Sequence, residues 1–179
     1  MAVASRWTYS APVSAYLSEY FQREIAPVLT PLAFDPGHPF PHISNRSKNL
    51  AVAVKHEGRT KFARVKVPGM LSRFIARPEH LSPQPGMAHV FLEDVIRRNI
   101  QTLFPGTQVE GAHLFRIIRD TDMVIQEDEA DDLLETVDRG LKQLRHGALS
   151  LLHVEADMPK RVLGILIENM RREGYEFQV

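Results

Sequence analysis

Leu17, Tyr20, Phe21 and Ile25 recur at helical spacing, which predicts an N-terminal helix over residues 14–25, closed by Pro27. Residues 1–13 carry no such period and read as a loose leader. Between residues 26 and 41 stand Pro27, Pro31, Pro36, Pro39 and Pro41, a density that opposes helix and demotes strand, so an extended connector is expected. The period then changes to two. Leu50, Val52 and Val54 alternate with small or polar residues, as do Phe62, Val65 and Val67, with Glu57-Gly58-Arg59 between them as a turn. This is the pattern of a β-hairpin over residues 49–56 and 60–67.

Beyond the hairpin, residues 68–85 read as loop with one short strand near residues 73–76. Residues 87–92 suit a strand that runs into a helix over 93–104, striped by Ile96, Ile100, Leu103 and Phe104 and stopped by Pro105-Gly106. A strand is expected over 113–119. The most regular helix pattern covers 126–145, with Ala130, Leu133, Leu134, Val137, Leu141 and Leu144 on one face. Residues 149–155 read as strand. Asp157 is placed to cap a last helix with Pro159 in its first turn and Val162, Leu163, Leu166, Ile167 and Met170 inward. Residues 175–179 suggest one more strand. The order predicts an α+β fold, a single domain with an N-terminal helix and with helices packed on a mixed or antiparallel sheet.

Composition narrows the function. Lys plus Arg equals Asp plus Glu at 22 each, so the formal net charge is zero, which argues against a nucleic-acid partner. The absence of cysteine excludes disulfides, thiolate metal sites and a cysteine nucleophile. No apolar run approaches the roughly 20 residues that span a bilayer, and no signal-peptide pattern opens the chain. A soluble cytoplasmic protein is expected.

Candidate chemistry is sparse. His38 and His42 bracket a His-Pro-Phe-Pro-His stretch that has the look of a metal pair. The two intervening prolines extend the chain, however, and no further ligand completes a pattern, so no metal site is assigned. The acidic run 127–132 is explained by the first turns of a helix, where the macrodipole favours negative charge. His113 and His153 fall in strands and read as core-edge residues. Residues 45–49, Asn-Arg-Ser-Lys-Asn, form the densest polar segment before a strand. Arg46 and Lys48 there suit phosphate oxygens, with Arg as a fork and Lys as a point charge. The alternative is a solvated turn whose Asn and Ser bond the local backbone. Arg119-Asp120, at a strand end, fits either a phosphate contact or a salt bridge. No P-loop glycines accompany these residues.

Several stretches resemble the large, four-domain bacterial polyphosphate kinases. The longest is residues 27–50, PVLTPLAFDPGHPFPHISNRSKNL, whose composition is unusual. It is supported by ARVKVP at 63–68, FLEDVI at 91–96, FPG at 104–106, residues 115–120, IQEDEADDLL at 125–134 and Asp157-Met158-Pro159. The resemblance runs from about residue 16 to 175 and matches the middle, or head, domain over residues 14–179.

The resemblance implies a parent enzyme that transfers the terminal phosphate of ATP to polyphosphate through a phosphohistidine, with ATP and magnesium as its cofactors. It also implies that catalysis belongs to C-terminal domains similar to phospholipase D, and that the head domain serves dimer formation. The family's catalytic histidine lies in a His-x-Lys context, which none of the eight histidines here has. No catalytic residue is therefore carried over. The N-terminal helical and C-terminal catalytic domains are expected to be absent, the chain alone inactive, and no cofactor held by it. The expected partners are a second copy or a catalytic half of a polyphosphate kinase. The leading expectation is an assembly and scaffold domain. The alternatives are a polyphosphate-binding module using His42, Asn45, Arg46, Lys48, Arg73 and Arg119, and, third, an independent histidine phosphotransferase.

Overall fold

The computed structural model describes residues 9–34, 42–81, 89–119 and 149–172. Helix α1 spans Ala11–Tyr20 and continues through a π-helical turn, Phe21–Ile25, and a 3-10 turn, Ala26–Val28. The helix begins three residues before the expected start because Pro12 sits in the first turn, where its missing N–H has no partner to lose. Leu17, Phe21 and Ile25 are fully buried, so the helical stripe faces the core as its spacing predicts.

The proline-rich connector is not wholly irregular. Besides the 3-10 turn it contributes strand β1, Pro31–Phe34. Strands β2, Lys48–His56, and β3, Arg59–Lys66, form the predicted hairpin. Its turn is tighter than the sequence suggested: Glu57 and Gly58 alone take positive φ, 48° and 77°, and Arg59 already pairs with His56. Strand β4, Phe74–Ala76, pairs with β5, His89–Phe91, as a separate small sheet. Helix α2 covers only Leu92–Arg98 and gives way to a 3-10 turn, Ile100–Leu103. At the break, buried Asn99 donates its side-chain amide to the Val95 carbonyl, a bond that competes with helix continuation. Strand β6 runs Gln108–Arg119, β7 runs Leu149–Val154, and α3 runs Lys160–Arg172. The Pro159 carbonyl accepts the first bond of α3 from Leu163, so Asp157 lies in the turn ahead of the helix and does not cap it. The expected helix over 126–145, the acidic run 127–132, His38 and the terminal strand lie outside the described residues.

The main sheet has the order β1-β3-β2-β6-β7, every described pairing antiparallel. Pro31 is tolerated in β1 because it opens an edge strand. The central strand β2 is buried on both faces, and its period of two divides the core. Leu50, Val52 and Val54 pack with α1 and α2, while Ala51 and Ala53 pack with Phe115, Ile117 and α3. An α+β fold with helices on both faces of an antiparallel sheet results. On β6 the register shifts opposite Ala53/Val54, where Glu110 is the extra residue. One inserted residue flips the parity of a strand, so Val109 faces the α1–α2 side although Phe115 and Ile117 face α3. Among the described residues, no helix is long and apolar enough to cross a membrane.

Candidate anion-binding cleft

The turn before β2, the exit of β3, the approach to β4 and the first turn of α2 meet around a cleft of about 430 Å3. Four cations line it, Arg46, Lys48, Lys66 and Arg73, against one carboxylate, Glu93.

The turn is held before any ligand arrives. Ser47 donates its N–H and its hydroxyl to the Ser44 carbonyl at 3.2 and 2.7 Å. Fully buried Asn49 donates to the Ser47 carbonyl and hydroxyl at 2.9 and 3.1 Å, and Lys66 Nζ donates to Ser44 Oγ at 3.2 Å. Arg46 N–H donates to the Ile117 carbonyl at 2.9 Å, with Arg46 itself at φ 60°. A long side chain in the left-handed region costs about 1 kcal/mol, and this bond to β6 is what holds it there. The result projects an exposed guanidinium at the cleft mouth.

Glu93 organises the floor. Its side chain is 8% exposed, and Oε1 takes both Lys48 Nζ at 2.6 Å and an Arg73 nitrogen at 3.5 Å. Its Oε2 is buried without a hydrogen-bond partner among the described residues. Arg73 also lies over the rings of Phe74 and Phe91, at 5.8 and 5.2 Å, which keeps its planar fork in place. The lining is net positive on a rigid frame, an arrangement suited to phosphate oxygens.

Among the residues singled out from the sequence, Asn45, Arg46, Lys48 and Arg73 line this cleft. His42 does not. Its carbonyl accepts a 2.7 Å bond from Arg64, a buried arginine whose pKa is lowered by desolvation. Arg119 ends β6, two residues beyond the carbonyl that holds Arg46, and its side chain lies outside the described residues. Lys66 and Glu93 escaped sequence reading: Lys66 is one polar position in an alternating strand, and Glu93 is an ordinary acidic first-turn residue.

The chain matches the family model described as the polyphosphate kinase middle domain over residues 13–179. It is 43% identical over 163 residues to a polyphosphate kinase of Thermosynechococcus vestitus, covering 89% of this chain and 22% of that protein. To polyphosphate kinase 1 of Chlorobaculum tepidum it is 46% identical over 165 residues, covering 89% and 24%. A crystal structure of polyphosphate kinase from Porphyromonas gingivalis shares the fold, with a TM-score of 0.67 at 22% identity over 94% of this chain and 23% of that one. The chain thus spans about a quarter of the length of these relatives. It belongs to the polyphosphate kinase middle-domain family.

Proposed function

We propose that this chain is a non-catalytic scaffold within a polyphosphate-synthesising phosphotransferase, and that its cleft holds a stretch of the anionic chain. The observation that carries the reading is the cleft's lining, in which four cations surround one carboxylate on a hydrogen-bonded turn. Lys48 and Arg73 are already partnered by Glu93, so Arg46 and Lys66 supply the charge that a polyanion neutralises. ATP and magnesium serve the parent enzyme, whose phosphotransfer chemistry lies elsewhere. A role in assembly, including pairing with a second copy, is favoured by the exposed rings of Phe74 and Phe91 beside the cleft, 5.3 Å apart.

The test is equilibrium binding of labelled polyphosphate to the 179-residue chain at low and high salt. Salt-sensitive binding is expected, weakened about fivefold for each of Arg46→Ala and Lys66→Ala, on about 1 kcal/mol per exposed charge contact. Binding indifferent to both substitutions refutes the cleft. Chain growth by the isolated protein with ATP and magnesium refutes the non-catalytic role.

A further inference from the structure

Away from the cleft, His113 of β6 and the two acidic residues of the β7–α3 connection, Glu155 and Asp157, each bring a ligand-capable atom within 4.8 Å of the others. Donor atoms around one ion with bonds near 2.1 Å lie about 3–4 Å apart. A contraction of about 1–2 Å at most therefore closes the group, and Asp157, exposed in its turn, is free to supply it.

Glu155 is already oriented. Its N–H donates to the Leu114 carbonyl at 3.1 Å, its Oε2 accepts the Leu114 N–H at 2.9 Å, and Arg97 of α2 holds Oε1. Each carboxylate oxygen keeps a second lone pair, and a ligand carboxylate fixed by outer hydrogen bonds is a recurrent feature of metal sites. The His113 ring has a seat of its own. A Cβ at Gly111 would come 2.9 Å from His113 Nε2, so the strand carries its glycine where the imidazole lies. No hydrogen bond occupies the ring among the described residues. Burial also pushes the His113 pKa below its ordinary value, which favours the neutral, ligating form at neutral pH. Arg97 offsets one of the two carboxylates, and the other leaves the group net negative toward a cation.

The geometry points to a divalent transition-metal site formed by His113, Glu155 and Asp157. One imidazole nitrogen with two carboxylates suits a borderline first-row ion such as zinc, whereas magnesium and calcium take all-oxygen shells. Three protein ligands leave a position for water. The ion clips β6 to the connection leading into α3, closing that side of the sheet.

The test is zinc titration of the chelator-stripped full chain by calorimetry, with melting temperature as the second readout. One zinc per chain and a melting temperature that rises with zinc concentration are expected, with no rise from magnesium at equal concentration. Asp157→Asn, an exposed change that leaves the core intact, weakens zinc about tenfold or more, as does His113→Ala. Gly111→Ala weakens it too, by displacing the ring. Failure to bind one zinc, an equal response to magnesium, or full affinity retained in Asp157→Asn and His113→Ala overturns the site. In the last case the ion belongs to other histidines, such as His38 and His42.

Discussion

Replacing Arg97 by Met tests how the two halves of the core are tied. Arg97 reaches from α2 to Glu155 at the end of β7, and the two side chains are 8% and 14% exposed. Breaking a buried pair by removing one partner costs about 3–5 kcal/mol, because the remaining charge stays desolvated. Two features reduce that figure here. Glu155 keeps its bond from the Leu114 N–H, and its residual exposure admits some water. Met also refills part of the aliphatic volume, and it removes an arginine Nε that is buried without a partner among the described residues. The expected loss is about 2–3 kcal/mol, or roughly 5–10 °C in melting temperature for a domain of this size. Urea unfolding of the chelator-treated chain gives the number. Arg172→Met is the control: its i,i+4 pair with Glu168 is 53% and 62% exposed, and such pairs contribute about 0.5 kcal/mol or less. The double variant Arg97→Met/Glu155→Gln should lose less than the sum of its singles, since the orphaned charge is gone. A loss for Arg97→Met no larger than that of Arg172→Met refutes the reasoning.

Two further predictions concern His113 and the hairpin turn. Burial is the largest influence on His113 and lowers its pKa, against the attraction of Glu155 and Asp157 and in concert with Arg97. The unfolded chain therefore binds the proton more readily. Its contribution to stability is full above the unfolded value, near 6.5, and is lost as pH falls through the lower folded value. Urea midpoints measured at pH 7.5 and 5 with chelator present should fall less in His113→Gln than in the parent, and an equal fall in both contradicts the assignment. Glu57, at φ 48° beside Gly58 at 77°, occupies a type I′ turn position that asparagine prefers. Glu57→Asn should raise stability by about 0.5 kcal/mol, and a lowered urea midpoint would count against the turn assignment. The ion pair it sacrifices, to His56 at 3.9 Å, is exposed and weak.

Local pattern carried the elements whose cause is local. The α1 stripe and the β2–β3 hairpin were legible because burial of one face imposes a period of 3.6 or of two on neighbouring residues. The long stretch at residues 27–50 marks the family through its composition and residue order alone. The first half of β6 was not legible. Gln108, Glu110 and Gly111 lack strand character, and the bulge at Glu110 breaks the alternation. Its pairing with β2 decides that it is strand. The strand in β1 was hidden for a related reason: prolines oppose strands in general, and only the edge position reconciles them with one.

Half of the cleft lay within a single sequence segment, Asn45 to Lys48, where clustered polar residues before a strand are visible in the sequence. Its other half came from packing. Glu93 stands 45 residues from Lys48, and their contact exists because α2 docks on the sheet face beside the turn. The group of His113, Glu155 and Asp157 shows the same division. Each residue alone reads as a strand or turn position, and the pairing of β6 with β7 brings them within ligand reach. Sequence determined which segments become helix or strand wherever the determining forces act within a few residues. Tertiary structure decided which charges meet, because that depends on sheet order and register, which no short window of the chain contains.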